Sequence, residues 1–121
     1  MAALTTTNIA NLTLQVDDTE RVAGAQVTAI NVGTANTLTL SGAGNLLVGT
    51  SVTAKDVVSS GYTGKADITL VNTIATDFTT GTGDDTFRGD GTGFAAKLDG
   101  GAGVDTLITG TTEDYSAVAL S

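Results

Sequence analysis

Residues 80–108 read TGTGDDTFRGDGTGFAAKLDGGAGVDTLI, and two segments within this stretch are nearly alike. The first is Thr80-Gly81-Thr82-Gly83-Asp84-Asp85-Thr86-Phe87-Arg88. The second is Gly100-Gly101-Ala102-Gly103-Val104-Asp105-Thr106-Leu107-Ile108. Each has glycine at its second and fourth positions, aspartate at its sixth and a large apolar residue at its eighth. The second also begins with glycine, where the first has Thr80. Glycine makes a tight turn cheaply, through positive φ angles that other residues resist. Phe87 or Leu107, two places after the aspartate, then enters a core as part of a short strand. Turn and strand alternate, and a chain built this way coils on itself.

The turns also carry chemistry. Ca²⁺ takes six to eight oxygens, many of which can be backbone carbonyls. A glycine-rich turn aims successive carbonyls at one point, and Asp85 and Asp105 add formal charge. Aspartate favours turns for its own reasons, but two at one register in two glycine-rich turns are less ordinary. The candidate ligands are therefore Thr80, Gly81, Thr82, Gly83 and Asp85 from the first turn, with Gly101, Ala102, Gly103 and Asp105 from the second. Asp84 is a secondary candidate at a variable position that faces solvent. Asp99 precedes the second turn and Asp90 lies in a Gly-Asp-Gly loop; each could join a second ion on the opposite side. Thr109-Gly110-Thr111-Thr112-Glu113-Asp114 is a faint third repeat, with Asp114 in register one nonapeptide after Asp105.

On these residues the chain resembles the RTX family of secreted calcium-binding proteins, whose repeat is G-G-x-G-x-D-x-U-x with U apolar. The resemblance implies an all-β, right-handed parallel β-solenoid, or calcium β-roll, with short strands and glycine-rich turns. Two nonapeptides make one coil in that family, so same-side turns recur at every second nonapeptide. Thr80 and Gly100 lie slightly further apart than two nonapeptides, which fits same-side neighbours with a two-residue swelling within Gly89–Asp99. One Ca²⁺ is then expected between the two turns, shared by Asp85 and Asp105. Upstream, the string from Gln26 to Asn45 and the segment Asp56–Gly64 are similar to bacterial surface-layer proteins of the RTX type. The likeness covers roughly residues 20–110. The chain departs from the family's D-x-S-G-x-T-G segment by placing Val57-Val58-Ser59-Ser60 after Asp56.

Composition points the same way. The 121 residues suggest one domain. They include 24 Thr and 16 Gly but only three Phe, two Tyr and no Trp or Pro. Thin β layers with many turns suit this mixture better than a thick core. Net charge is −8, and eight of the 13 acidic residues lie between Asp77 and Asp114, beside only Arg88 and Lys97. Such a cluster repels itself unless a cation fills it, and it speaks against nucleic acid, which wants a basic stripe. With neither Cys nor His, the usual zinc, haem and iron–sulfur sites cannot be built. No run approaches the ~20 apolar residues of a membrane span, so no membrane insertion is expected. The start, MAALTTTNIANL, lacks the basic and apolar regions of a Sec signal. RTX proteins typically leave by a type I system that reads a C-terminal signal, for which the tail TTEDYSAVALS is short.

Outward from residues 80–108, short strands recur every ~8–12 residues between Gly or Asn turns. Leu12-x-Leu14, Val27–Val32, Leu38-x-Leu40, Leu46–Val48, Val57-Val58 and Ile68–Val71 are the strand-like runs, and Ile74 and Phe78 lead into the turns. Leu12-x-Leu14 is echoed two nonapeptide lengths later by Ile30-x-Val32, which supports a coil. The expectation is one module: apolar-ladder coils over 1–79 and calcium-binding coils over 80–114, within a longer secreted protein.

Catalysis is not expected. Ser59 and Ser60 have no histidine base, and a Ser–Lys pair would need Lys55 or Lys65 desolvated beside them. Asp84 and Asp85 are adjacent and point apart, so they cannot act as a carboxylate pair. The Gly42-Ala43-Gly44 and Gly91-Thr92-Gly93 loops lack the Walker lysine. The expected role is a structural, calcium-dependent repeat module of a secreted bacterial surface protein, folding and self-assembling outside the cell. Its partners would be copies of itself or its parent, with cell-surface polysaccharide reached through other parts of the parent. Two alternatives are an RTX adhesin or ice-binding module, which needs a flat Thr-x-Thr ladder, and a folding or secretion module of a secreted protease or lipase.

Overall fold

Alternation of apolar and polar residues puts every second side chain on one face of an extended strand, and this chain alternates in short bursts throughout. The computed structural model describes residues 3–7, 9–17, 25–69, 77–89 and 97–109, and the backbone of 119–120. The strands are β1 (Leu4–Thr5), β2 (Asn11–Gln15), β3 (Ala25–Asn31), β4 (Thr37–Ser41), β5 (Leu46–Thr53) and β6 (Asp56–Val58). They continue as β7 (Ala66–Thr69), β8 (Asp77–Thr79), β9 (Thr86–Arg88), β10 (Lys97–Asp99), β11 (Thr106–Ile108) and β12 (Ala119–Leu120). Odd strands form one six-stranded sheet and even strands another, every pairing parallel. The chain thus passes from sheet to sheet and climbs one rung per coil, a right-handed parallel β-solenoid. Among the described residues no helix is long and apolar enough to cross a membrane.

The coil length corrects one sequence expectation. In the odd sheet Val48, Ile68, Phe87 and Leu107 stack at successive sequence offsets of 20, 19 and 20. In the even sheet Leu38, Val57, Phe78 and Leu98 stack at offsets of 19, 21 and 20. The offset between the two glycine turns is therefore that of the ordinary coil, not of a two-nonapeptide coil with a swelling. The echo between Leu12-x-Leu14 and Ile30-x-Val32 does not join successive coils either. Leu12 pairs with Leu38 in the even sheet, while Ile30 pairs with Leu4 and Val52 in the odd one. The first coil is longer in both sheets, with an offset of 26 from Leu4 to Ile30 and again from Leu12 to Leu38. Strand β10 was not legible as a separate run, because its single inward residue, Leu98, stands between Lys97 and Asp99.

The core is the slot between the sheets. Ile30, Val48, Ile68 and Phe87 enter it from one side, and Leu38, Leu40, Val57, Phe78 and Leu98 from the other. Phe78 and Phe87 meet edge to face across it, ring centres 5.9 Å apart at 72°, an arrangement worth about 0.5–1.5 kcal/mol beyond area burial. The apolar ladder thus continues through the coils that hold the aspartate turns. Leu70, Val71 and Ile74, the last expected strand residues before Phe78, lie outside the described residues, as do Asp18 to Gly24.

Candidate metal centre

The turns from even to odd strands share one edge of the solenoid. The ones described in full are 42–45, 59–65, 80–85 and 100–105, stacked in that order. Backbone bonds join each to the next. Thr63 N–H donates to the Gly42 carbonyl at 2.9 Å, Thr82 N–H to Tyr62 at 3.1 Å, and Ala102 N–H to Gly81 at 3.0 Å. The two aspartate turns are therefore same-side neighbours, with Thr106 N–H donating to the Asp85 carbonyl at 2.8 Å.

Glycine is required here mainly for space. A Cβ on Gly64 would collide with the Gly44 carbonyl, one on Gly83 with Gly64, and one on Gly103 with Gly83. This column fixes how closely successive turns approach. The expected positive φ angles are present at Gly101 (74°) and Gly103 (127°), but Gly81 and Gly83 are not among the positive-φ glycines. The first turn thus needs glycine for close packing alone, the second for packing and backbone shape.

Within each turn the aspartate side chain folds back across the mouth towards the first position. At Gly100 the carboxylate of Asp105 fills the place that a Cβ would take. At Thr80 a side chain is present, and its hydroxyl donates to the Gly100 carbonyl at 2.9 Å in the next coil. Both carboxylates also reach back one coil. Asp105 Oδ1 accepts from Asp85 N–H at 3.0 Å, and Asp85 Oδ1 accepts from Ala66 N–H at 2.7 Å. The two are thus in register but do not converge from opposite sides on one point. Asp105's carboxylate lies between turns 80–85 and 100–105, and Asp85's lies between 59–65 and 80–85.

Their surroundings differ sharply. Asp105 is exposed. Asp85 is 1% exposed, and its Oδ2 has no hydrogen-bond partner. Burial raises its pKa; the Ala66 N–H and the adjacent Thr80 hydroxyl oppose this, while the charges of Asp105 and Asp84 add to it. An unsatisfied buried charged oxygen costs at least about 1–3 kcal/mol, so this atom is the one that a cation would relieve most.

The other acids on this edge are engaged. Asp84 is exposed, and Val104 N–H, donating at 3.0 Å, lowers its pKa together with Lys65 at 3.4 Å. It staples three coils and is not a free ligand. Asp99 ends β10, receives Gly101 N–H at 3.1 Å and pairs with Lys97 at 3.6 Å. That places it beside the second turn, on the same edge as Asp85, and not on the opposite side where a second ion was expected. Asp90 and Asp114 lie outside the described residues. On the sheet faces Asp67 holds Arg88 through two 2.7 Å bonds, and Asp56 sits 3.7 Å from Lys55.

Among the described residues no three acidic side chains gather as a metal site. Any ion here must draw mainly on carbonyls and hydroxyls, which matches the hard-oxygen preference of Ca²⁺. The Gly81 and Tyr62 carbonyls each already accept one N–H, but a carbonyl has a second lone pair. The orphaned Asp85 Oδ2 and the oxygen-only donor set fit such an ion.

Sequence reasoning missed Tyr62. Ser59-Ser60-Gly61 reads as a turn and nothing in the sequence gives Tyr62 a role, yet Tyr62 is 0% exposed. Gly64 stacks on Gly83 and Ser59 on Thr80, so Ser60 and Gly61 are two extra residues in this turn. The Tyr62 N–H donates back to the Ser59 carbonyl at 2.8 Å, which closes the small turn and swings the ring inward. Its hydroxyl reaches the carbonyls of Gly44 and Lys65. Burial and then the Asp85 charge raise its pKa. The recurring small-residue–Gly pair at 43–44, 63–64, 82–83 and 102–103 is the signal that could have found the column. Comparison with family models, curated proteins and solved structures gives no match for this chain.

Proposed function

We propose that the chain is a structural, calcium-dependent coil module of a secreted bacterial surface protein, with Ca²⁺ held in the gaps between the stacked turns 59–65, 80–85 and 100–105, where the Asp85 and Asp105 carboxylates lie. The observation that carries this reading is the orphaned Asp85 Oδ2, enclosed among glycine turns that repeat at the coil period. Ca²⁺ that binds only the coiled state stabilises it by RT ln(1+[L]/Kd), about 2.7 kcal/mol at a hundredfold excess over Kd. In a compartment poor in Ca²⁺ the buried carboxylate remains a cost, and the chain stays easier to unfold for export. Outside the cell the coils close and offer their faces and ends to further copies. Open, head-to-tail contacts of that kind extend into arrays.

The adhesin alternative needs ranked Thr-x-Thr pairs. The outward pairs along the even sheet are Asn11/Thr13, Thr37/Thr39, Asp56/Val58, Asp77/Thr79 and Lys97/Asp99. Among these described rungs only Thr37/Thr39 carries two threonines, so the structural reading is preferred.

Circular dichroism in EDTA, then with Ca²⁺ restored, tests the proposal. The β signal and melting temperature should fall in EDTA and recover with Ca²⁺. Asp85→Ala with Asp105→Ala should abolish the recovery, whereas Asp67→Ala should retain it. Identical melting with and without Ca²⁺, and no bound ion, would sink the reading.

A further inference from the structure

The core positions at the glycine-turn edge change character along the stack. On the even side Leu14 lies on Leu40. Thr39 pairs with Val58, Val58 with Thr79, and Thr79 with Asp99. The next residues in line are Leu40, Ser59, Thr80 and Gly100, and they form one column. On the odd side Ala25, Leu46 and Ala66 stack in turn. Asp67 pairs with Thr86, and Thr86 with Thr106, so the residues just before them carry that column through Asp85 to Asp105. Each coil thus closes this end of the core with one residue from each column. The pairs are Leu40/Leu46, Ser59/Ala66, Thr80/Asp85 and Gly100/Asp105.

The neighbouring columns do not change in this way. Leu38 with Val48, Val57 with Ile68, Phe78 with Phe87 and Leu98 with Leu107 stay apolar at every level. The gradient is confined to the turn edge. Leu40 and Leu46 are 1% and 2% exposed, and burying such side chains drives folding. Asp85 is 1% exposed at the same position as Leu46, and burying a charge there opposes folding. One coil on, Gly100 has no side chain and Asp105 is exposed. Between the leucine and aspartate levels Ser59 and Ala66 are small, but Tyr62 adds a fully buried ring whose hydroxyl reaches the Gly44 and Lys65 carbonyls. That level therefore keeps a large apolar group. Each coil touches only its neighbours, so local stability follows local composition.

We propose that the solenoid closes in two stages, divided between the Tyr62 turn and the Asp85 turn. Without Ca²⁺ the coils up to the Tyr62 turn stay shut. The turns 80–85 and 100–105, with the strands that follow them, open and reclose locally while the rest holds. Ca²⁺ beside Asp85 and Asp105 shuts them onto an end that is already formed. The ion thus governs the last coils and not the nucleus, which is a template that needs no metal. The calcium half of this inference rests on the reading above; the gradient in stability follows from the core alone.

Amide hydrogen exchange on the full chain tests both halves. Strands β3 and β9 each lie next to an end strand of the odd sheet, so simple fraying affects them alike. In EDTA the β9 amides should be roughly tenfold or more less protected than those of β3 and β5. Saturating Ca²⁺ should slow β9 roughly tenfold or more and slow β3 and β5 much less. Equal protection of β3 and β9 in EDTA overturns the proposal. So does equal slowing of all three strands by Ca²⁺, which leaves the calcium reading standing. A gap in EDTA that Ca²⁺ does not narrow overturns the second stage and the calcium reading with it. Thr80→Leu with Asp85→Leu rebuilds the Leu40/Leu46 pair at the aspartate level. It should close most of the gap in EDTA and remove most of the response to Ca²⁺. If that variant fails to fold, Asp85→Asn removes the charge and keeps the shape. It should slow β9 severalfold in EDTA, and no slowing there overturns the proposal.

Discussion

The turns 80–85 and 100–105 share a motif and lie one above the other, yet they enclose their aspartates differently. Asp85 is buried, with a coil on each side, and Asp105 is exposed. Gly101 and Gly103 adopt positive φ, which is not found at Gly81 and Gly83. Thr80 bonds to the next coil, whereas at the same position Gly100 leaves room for its own turn's carboxylate. The motif fixes where a carboxylate points along the stack. Whether that carboxylate is enclosed depends on the neighbouring coil, which the motif does not contain.

The sharpest way to break this comparison is to fill the glycine column at both levels. Gly83→Ala drives a Cβ into the Gly64 carbonyl within a packed stack, and about 3 kcal/mol of stability should be lost, at the upper end for overpacking. Gly103→Ala adds backbone strain of about 1–3 kcal/mol, but its exposed turn can move aside. Urea denaturation in EDTA should therefore find Gly83→Ala the more damaging. A larger loss at Gly103 would mean that backbone shape, not close approach, governs the edge.

A pH titration separates Asp85 from its neighbour Asp84 by sign. Asp85 has a raised pKa in the folded chain, so its contribution to stability is full below the unfolded value and is lost as pH rises through the folded one. Asp84 has a lowered pKa, so its contribution is present above the unfolded value and is lost as pH falls through the folded one. In EDTA, melting temperature should fall on the alkaline side of the usual carboxylate range, and Asp85→Asn should flatten that fall. With Ca²⁺ present the slope should reverse, because protons compete with the ion for Asp85. A fall that survives in Asp85→Asn would assign it to another group.

The smallest effect runs against the motif. Thr80→Gly makes the first nonapeptide complete, yet it should cost about 1–2 kcal/mol in EDTA, because it removes a buried hydrogen bond of about 0.5–1.5 kcal/mol and adds glycine's conformational entropy. Equal stability in thermal melts would show that the hydroxyl bond to Gly100 contributes nothing net.

Much of the fold was legible because alternation and turn chemistry are local. Leu38-x-Leu40 was readable as one face of a strand and Phe87 as an inward residue, while Leu46–Val48 and Val57-Val58 were readable only as strand-like runs, with glycine-rich turns between them. The adjacency of the two aspartate turns followed from the offset between Thr80 and Gly100. What stayed hidden depends on register. The burial of Tyr62 and Ser59 follows from a two-residue excess over the next turn, and that excess has no meaning until Gly64 is set against Gly83. Asp99 was open to a second ion on the opposite side because the short strand containing Leu98 was not recognised. The steric need for Gly81 and Gly83 was masked by the commoner reason for glycine in turns.

The near-constant length of the coil beyond the first has a consequence for reach. Each coil adds one strand spacing, ~4.8 Å, and touches only the coils before and after it. Inserting or deleting one coil would change the protein's reach by a fixed step while leaving its cross-section alone. Such a chain is a ruler graduated in rungs, on which gene length reads out directly as distance.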